Sequence, residues 1–473
     1  MSSNWSFKKL GDLVTFLSGG TPSKSNKDYW NGEIPWISAS SMQSTRYHDS
    51  DLRVTSLGST NGTRLVPAET VLLLVRGGAL HNKIPVGITT REVTFNQDVK
   101  ALVPKSEDIT PYYLLAWLIS SRELLLGKVE NTGIGAGKLD TKILQDLDVP
   151  VPPKAELLRL ELFSKALDDK IILNQNINHT LEQMAQALFK SWFVDFEPVK
   201  AKMAVLEAGG SQEDATLATM TAISGKDADA LAIFERENPE QYAELKATAE
   251  LFPSAMQESE LGEIPEGWVL SEIGAQIDIA GGATPPTKTP EFWNNGDIHW
   301  TTPKDLSNVE EKILLHTERK ITKAGLDKIS SGLLPVNTVL MSSRAPVGYL
   351  AIAKVPVAIN QGYIAMKCNK ELSPEFVLQW CSANMPEIVS RASGTTFAEI
   401  SKKNFNPIPL VMPPVELVKS YTKQASAVYS LIENNMRENN SLTQLRDTLL
   451  PKLLSGEITL PEAEQAVSEA ENV

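Results

Sequence analysis

The sequence is poor in cysteine and in long apolar runs. Only Cys368 and Cys381 occur among 473 residues, which excludes a disulfide framework and a zinc site with four cysteine ligands. No segment approaches the roughly 18 consecutive apolar residues that a membrane span requires. The N-terminus also lacks an apolar signal core behind basic residues. We therefore expect a cytoplasmic protein with no membrane partner.

Recognisable catalytic patterns are also scarce. The five histidines form no pair at metal-ligand spacing, and no nucleophile elbow or dinucleotide fingerprint is visible. Gly133–Lys138 resembles a phosphate-binding loop, yet Thr132 stands where that loop needs glycine and Leu139 stands where it needs Ser or Thr. We expect no catalytic residue and no metal site, and therefore a binding protein rather than an enzyme.

The net charge of −13 argues against a nucleic-acid partner until its distribution is considered. Residues 201–266 carry 4 basic and 14 acidic side chains, and residues 451–473 carry 1 basic and 5 acidic side chains. The rest of the chain is close to neutral, which permits local basic patches that bind DNA.

An internal repeat with a period of about 262 residues organises the chain. Five blocks recur in the same order: Ser18–Pro22 and Gly281–Pro285, Tyr29–Ile37 and Phe292–Trp300, Val71–Arg76 and Val339–Arg344, Phe95–Asp98 and Ile359–Gly362, Val149–Pro153 and Pro409–Pro414. Short β-branched runs, turn residues and a helix beginning with proline in each copy predict an α+β domain.

A long amphipathic helix is predicted after each copy. Apolar residues recur at spacings of three and four, which places them on one helix face. The stripes comprise Leu160, Phe163, Leu167, Ile171, Ile177, Leu181, Met184 and Leu188 in the first helix, continuing to Trp192 and Phe193, and Tyr421, Val428, Ile432, Leu442, Leu445 and Leu449 in the second. The first helix is roughly 57 Å long at 1.5 Å per residue. We expect the two helices to pack on each other as an antiparallel coiled coil.

Asn174 and Asn435 occupy the same place in the two stripes. A polar residue on an apolar seam fixes helix register at a cost in stability; alternatively, both asparagines face water.

These patterns divide the chain into six parts. They are a first recognition domain (1–153), a central helix (154–200), a weakly packed or mobile acidic insert (201–262), a second recognition domain (263–414), a distal helix (415–458) and a fraying acidic tail (459–473).

Candidate DNA contacts occur at comparable places in the two copies, because readout of bases and phosphates uses basic and polar side chains. They are Lys24, Lys27, Arg76, Lys83, Lys138 and Lys142 in the first copy and Lys288, Lys304, Arg344, Lys402 and Lys403 in the second, with Lys138 and Lys142 matched loosely to Lys402 and Lys403. The alternative interpretation of each residue is a solvated surface charge with no role in DNA binding. The repeated Asn96-Gln97 and Asn360-Gln361 favour a structural turn, since residues that specify sequence should differ between copies.

The chain resembles the specificity subunit of type I restriction–modification systems. The resemblance rests on the Gly-Gly-Thr-Pro and Trp-Asn-Gly-Glu-Ile-Pro-Trp blocks, the proline pair before each helix, and the segments Leu188–Pro198, Leu261–Trp268 and Leu449–Ile458. It covers nearly the whole chain except the insert and the tail. The second copy departs from the pattern, because it has Pro451 and lacks the Trp-Phe-Val-Asp-Phe ending.

The resemblance implies a role in a complex. Each domain is expected to read one half of a bipartite site in double-stranded DNA, with the helices as a spacer that docks two adenine methyltransferase subunits. S-adenosylmethionine is expected in those partners, and ATP with Mg²⁺ in a separate restriction and translocation subunit. Two alternatives stay open: a protein-assembly scaffold without DNA affinity, and a nucleotide-binding enzyme dependent on Lys138.

Overall fold

The computed structural model describes residues 5–131, 135–307, 309, 311–344, 346–394 and 398–471. The chain forms two units, Met1–Asn174 with Arg437–Val473 (unit 1) and Gln175–Met436 (unit 2). In the described ranges, no helix has both the length and the apolar character that crossing a membrane requires.

The first mixed domain, residues 6–151, lies in unit 1. Its strands are β1 (Ser6–Lys9), β2 (Val14–Ser18), β3 (Trp30–Ile37), β4 (Arg46–Tyr47), β5 (Arg53–Val54), β6 (Leu65–Val66), β7 (Val71–Leu74), β8 (Arg76–Gly77), β9 (Val86–Thr89), β10 (Val93–Phe95), β11 (Val99–Pro104), β12 (Glu130–Asn131), β13 (Gly137–Lys138) and β14 (Asp148–Val151). Its helices are α1 (Leu10–Leu13), α2 (Ser56–Thr60), α3 (Pro111–Ser120), α4 (Arg122–Leu126) and α5 (Thr141–Gln145).

A long helix and four shorter ones follow: α6 (Lys154–Phe193), α7 (Glu197–Glu207), α8 (Gln212–Ser224), α9 (Ala228–Glu237) and α10 (Pro239–Glu250). The second mixed domain, residues 256–412, has strands β15 (Met256–Ser259), β16 (Gly262–Pro265), β17 (Val269–Glu272), β18 (Asp278–Ala280), β19 (Ile298–Thr301), β20 (Ile313–Leu314), β21 (Arg319–Ile321), β22 (Val339–Ser343), β23 (Val347–Ala353), β24 (Val357–Ile359), β25 (Tyr363–Lys367) and β26 (Pro409–Met412). Its helices are α11 (Ile273–Gln276), α12 (Pro303–Leu306), α13 (Lys323–Leu326), α14 (Pro374–Ala383), α15 (Met385–Ser390) and α16 (Lys402–Phe405); α17 (Val415–Ser455) and α18 (Leu460–Glu471) complete the chain.

The five-stranded sheets of the two mixed domains have the same topology. The first contains the five-stranded order β2-β11-β7-β9-β4, and the second contains β18-β25-β22-β23-β20. In each sheet only the last pair is parallel. The predicted helices with proline in the first turn are α3 and α14, and Thr110 and Ser373 cap them with their side-chain oxygens. The predicted duplication and α+β class are confirmed.

The long helices α6 and α17 pack antiparallel within each unit. In unit 1, Leu167 and Ile171 of α6 contact Leu442 of α17, while Leu160 and Leu449 join the domain core. In unit 2, a cluster of edge-to-face aromatic rings includes Phe189, Trp192, Phe193, Phe376 and Tyr421; Leu181, Leu188 and Val428 pack at its margin. The predicted helix pairing is confirmed.

Two predicted members of the apolar stripe are off the seam. Ile177 is 40% exposed and Met184 is 55% exposed. The seam instead contains Asn178 and Ala185, both nearly inaccessible to solvent. The apolar pattern mispredicts the middle of the seam, because the buried residues there are polar or small.

The seam asparagines are hydrogen-bonded rather than water-facing. In unit 1, Asn174 is 1% exposed and donates to Glu438 Oε2 at 2.6 Å and to Asn439 Oδ1 at 2.9 Å. In unit 2, Asn435 donates to Asn178 Oδ1 at 2.8 Å. Such contacts are satisfied only at one helix register, which supports the registry hypothesis.

A buried carboxylate of α6 joins each mixed domain to the helices. In unit 1, Asp168 accepts from Thr45 Oγ1 at 2.8 Å, forms an ion pair with Arg46, and lies 3.4 Å from the guanidinium of Arg446 in α17. In unit 2, Glu182 accepts from Lys312 at 2.9 Å, from Gln379 at 3.2 Å and from Tyr429 OH at 2.7 Å.

The acidic insert is a packed helical subdomain, so the expectation of weak packing is wrong. Met220, Leu231 and Ala249 form its core. Lys202 is 4% exposed and donates to the carbonyl oxygens of Ala249 and Phe252 near the end of α10. The acidic residues lie on the outer faces, which is why composition alone suggested disorder.

The expectation of a fraying tail is also wrong. Residues 460–471 form α18, whose Ala463 is fully buried against the core of unit 1. Proline is the second residue of both α7 and α18, at Pro198 and Pro461. Each long helix is therefore followed by an equivalent shorter helix, and the repeat continues beyond the predicted boundary at 458.

Glu182→Ala is expected to destabilise unit 2 by about 3 kcal/mol. The change removes the buried acceptor of the Tyr429 hydroxyl, one of the two acceptors of the Gln379 amide and the counter-charge of Lys312. Urea unfolding followed by tryptophan fluorescence measures the loss. The control Glu416→Ala removes only an exposed ion pair with Lys419 and should cost less than about 1 kcal/mol. Equal losses would contradict a special role of the buried network.

The Lys202 ammonium is expected to make the stability of the insert depend on pH. Burial lowers the pKa of Lys202 below its ordinary value of 10.5. The unfolded chain therefore holds this proton more tightly, so stability rises as the pH increases toward about 10.5. Lys202→Met should abolish this rise, which urea unfolding of both proteins between about pH 8 and about pH 10 measures. Parallel pH profiles for the two proteins would show that Lys202 does not titrate differently on folding.

Candidate nucleic-acid interface

Three connections of the first mixed domain meet at one end of its five-stranded sheet. Strand β2 ends at Ser18, which pairs with Lys100, and β11 begins at Val99, which pairs with Leu74 at the end of β7. The loop from Gly19, the turn Asn96–Asp98 and β8 therefore lie side by side. The second domain has the same arrangement after β18, before β25 and after β22.

The glycines that follow β2 and β18 allow the loop after each strand to pack closely against the sheet. A Cβ on Gly19 would lie 2.2 Å from the carbonyl oxygen of Phe95, and one on Gly282 would lie 1.9 Å from that of Ile359. Only glycine fits so close an approach. The next amide, of Gly20 or of Ala283, donates to the same carbonyl at 2.9 and 3.0 Å.

Threonine and glutamine close the loop in both domains. Thr21 Oγ1 donates to Gln97 Oε1, and Thr284 Oγ1 donates to Gln361 Oε1, each at 2.7 Å. The preceding asparagines accept backbone amides two residues later. The Asn-Gln repeat thus has a structural role, as its occurrence in both copies suggested.

Two tryptophans in each domain also support this loop. Trp36 Nε1 donates to Gly20 O at 3.0 Å, and Trp300 Nε1 donates to Ala283 O at 3.2 Å. A second tryptophan, Trp30 or Trp293, packs edge-to-face on the first, with ring centroids 5.4 and 5.0 Å apart. The loop position is therefore fixed by the scaffold and independent of its exposed side chains.

Basic side chains gather at this end of the first domain. Lys24, Lys27 and Arg76 are exposed, and Lys138 pairs with Arg76 across the β13–β8 ladder. Lys83 donates to Gln43 at 3.2 Å in the connection between β7 and β9. Sequence reasoning missed Arg64 and Lys100, which hydrogen-bond to Ser18 at the end of β2; a strand-pairing register was needed to find them.

The carboxylate of Asp140 contacts the side chain of Lys138 and the backbone of Lys142. Lys138 Nζ lies 2.9 Å from Asp140, which also accepts the backbone amide of Lys142 as the cap of α5. The hydrogen bond from Lys138 lowers the pKa of Asp140 below its usual value. Of the phosphate-loop-like segment, residues 132–134 lie outside the described residues, while Gly137 and Lys138 form strand β13.

The second domain carries fewer basic groups at the equivalent end. Lys288 is exposed, Arg344 lies 3.8 Å from Glu399, and Lys304 forms a 2.9 Å ion pair with Glu318. Lys402 begins α16 close to Gly281, and Lys403 follows it. By strand register, the uncharged residues Gly332 and Ile364 occupy the positions of Arg64 and Lys100 in this domain.

The loose match of Lys138 with Lys402 is wrong. Leu139 N donates to Val75 O, and Ile400 N donates to Ser343 O, so the residues before them, Lys138 and Glu399, are equivalent. By the same register, Lys142 matches Lys403. The structure thus reveals a reversal of charge that the spacing of lysines concealed.

Trp192 and Phe193, predicted for helix packing and partner docking, are 0% and 8% exposed. Both lie in the aromatic cluster of unit 2, so their side chains contribute to packing. In the described residues, no group of three His, Cys, Asp or Glu side chains has a geometry suited to a metal ion.

Comparison with known proteins identifies the family. The profile described as type I restriction modification DNA specificity domain matches residues 2–183 and again residues 265–444. The chain is 32% identical over 367 residues to the HindI specificity subunit of Haemophilus influenzae, covering 75% of this chain and 79% of that one. It is 24% identical over 469 residues to the putative MjaX specificity subunit of Methanocaldococcus jannaschii, covering 96% and 94%.

A crystal structure of a type I restriction–modification S subunit from M. genitalium covers 95% of this chain and 96% of that one, with 13% identity and a TM-score of 0.46. The family profile matches most of the chain, once for each copy of the repeat. The chain therefore belongs to the type I restriction–modification DNA specificity family.

Proposed function

We propose that this chain is the DNA-reading subunit of a type I restriction–modification complex, in which each mixed domain recognises one half of a bipartite site. One observation carries the proposal: the loop scaffold is the same in both domains, down to the Thr–Gln hydrogen bond, while the charged residues around it differ. A scaffold used twice with different exposed side chains suits recognition of two different short sequences.

Electrostatics supports double-stranded DNA as the ligand. Phosphate contacts supply most of the affinity of such proteins and need clustered cations. The first domain offers Lys24, Lys27, Arg64, Arg76, Lys83 and Lys100 at one sheet end, with Lys138 and Lys142 adjoining; the second offers Lys288, Lys304, Arg344, Lys402 and Lys403. The strong acidity of the chain is concentrated in the insert and α18.

The long helices support the role of a spacer. A helix rises about 1.5 Å per residue, so a helix with the 40 residues of α6 spans roughly 60 Å. Hydrogen bonds of Asn174 and Asn435 along the seam hold one register. A fixed register is the physical condition for a fixed distance between half-sites.

Methyltransferase docking is proposed for exposed faces of the long helices. In unit 1, Leu158, Leu162 and Leu173 of α6 are 43%, 67% and 53% exposed. The residues at equivalent positions of α17 in unit 2 are Lys419, Lys423 and Asn434, and Lys423 forms an ion pair with Glu244 of the insert at 2.6 Å. The two docking faces therefore differ in chemistry.

Chemistry is assigned to partner subunits. Two adenine methyltransferase subunits would supply S-adenosylmethionine, and a restriction and translocation subunit would supply ATP hydrolysis with Mg²⁺. This chain would be the non-catalytic subunit of a cytoplasmic complex. The alternative hypothesis, a protein-assembly scaffold without DNA affinity, does not explain why the two sheet ends carry different charges.

Co-expression with the methyltransferase subunit of the same system is expected to methylate adenines in one bipartite sequence. Sequencing of methylated adenines across the genome gives both half-sites and their spacing. Replacing residues 1–150 by the first domain of another family member should change one half-site only. A change in both half-sites would refute modular recognition, and the absence of sequence-selective methylation would refute the proposed function.

Adding one helical turn to the middle of each long helix is expected to lengthen the spacer without changing either half-site. Four residues add about 6 Å, which corresponds to about two base pairs. The same methylation map measures the change. An unchanged spacer in a well-folded variant would show that the helices do not set the distance.

A further inference from the structure

A short ladder of three residues stands at the candidate DNA-binding end of each domain. In the first domain, Arg76 pairs with Lys138, and Lys138 pairs with Glu130. In the second, Arg344 pairs with Glu399, and Glu399 pairs with Ser393. The equivalence is fixed by the backbone bonds of Leu139 to Val75 and of Ile400 to Ser343, at 2.8 and 3.0 Å.

Directly opposite residues of antiparallel strands project from the same face. The shared arginine therefore has a lysine beside it in the first domain and a glutamate beside it in the second. The charge of this position is reversed while the surrounding backbone is kept.

The side chains also differ in their partners. Arg344 lies 3.8 Å from Glu399, and both side chains are about two-fifths exposed, at 39% and 45%. Lys138 binds Asp140 and leaves the Arg76 guanidinium with no hydrogen-bond or ion-pair partner in the described part of the chain. The cap equivalent to Asp140 is the uncharged Ser401.

A carboxylate on a DNA-facing surface is informative because it is repelled by phosphates. It is compatible with binding where it lies against base edges or holds an arginine. Arginine reads guanine through two parallel hydrogen bonds, and this requires a fixed orientation of the guanidinium. Two neighbouring cations concentrate positive charge and therefore suit a contact with a backbone phosphate, which carries no base information.

We propose, on the basis of the proposed function, that Arg344 reads a guanine in the second half-site with Glu399 as its positioning residue, whereas Arg76 and Lys138 bind backbone phosphate in the first half-site. The same ladder thus contributes specificity in one domain and affinity in the other.

The test compares Arg344→Lys, Glu399→Gln, Lys138→Gln and Arg76→Gln in the complex with its methyltransferase. Matched controls are Asp278→Asn, at the start of β18, and Lys8→Gln, in the β1–β14 pair, which remove similarly exposed ion-paired charges away from the candidate DNA-binding ends. Duplex libraries varied at each base pair of the wild-type site give base preference, and a salt titration gives the dependence of log K on log salt. Thermal unfolding confirms that each variant is folded.

Arg344→Lys is expected to lose about tenfold or more in discrimination at one guanine of the second half-site. Glu399→Gln should relax the same position. Lys138→Gln and Arg76→Gln should weaken all sequences alike and lower the salt slope by about 0.9 each. The controls should leave base preference unchanged.

The inference is overturned if the wild-type complex reads a bipartite site but Arg344→Lys and Glu399→Gln retain its base preference. It is also overturned if Lys138→Gln alters base preference in the first half-site. Failure of the proposed function looks different, because the wild-type complex itself would then bind all duplexes alike.

Discussion

The buried carboxylates of α6 are the contacts on which sequence reading by this architecture depends. Asp168 gathers Thr45, Arg46 and Arg446, and Glu182 gathers Lys312, Gln379 and Tyr429. In each unit the carboxylate receives groups from the mixed domain and from the second helix at once. A buried charge is tolerated only when its partners are in place, so the geometry of the domain on the helices is narrowly defined. A spacer can measure distance only if its recognition domains do not rotate on it.

The two networks perform one task with different chemistry. Residues at the start of the equivalent strands β4 and β20 supply a domain partner of each carboxylate, namely Thr45 and Arg46 in unit 1 and Lys312 in unit 2. The remaining partners are an arginine in one unit and a tyrosine with a glutamine in the other. The domains therefore share a fold but not an interchangeable attachment. This constraint distinguishes the two positions although the sheets have the same topology.

The sequence allowed the duplicated α+β domains and the long helices to be predicted, because both depend on repeated blocks and periodic apolar residues. Prediction from the sequence failed at positions where a polar residue is buried or an apolar residue is exposed. Asn178 is on the seam and Ile177 is not, and Lys202 is buried although the insert is highly acidic. For the candidate site, the loop scaffold and most basic residues were predictable. Arg64, Lys100 and Glu399 were not, since their position depends on strand pairings that spacing does not reveal.

The equivalence of α7 and α18 changes the interpretation of the acidic segments. Both helices follow a long helix and place proline at their second position, so α7 belongs to the repeat and the true insertion is α8–α10. In unit 2, Val199 and Met203 of α7 face the aromatic cluster, while Lys202 donates to carbonyl oxygens near the end of α10. At the offset of 261 residues that aligns Leu188 with Leu449, Val199 corresponds to Leu460 and Lys202 corresponds to Ala463, and all four are buried or partly buried within their own unit. Both short helices therefore bury an equivalent face, and the insertion α8–α10 adds to unit 2 a helical layer that the described residues of unit 1 lack.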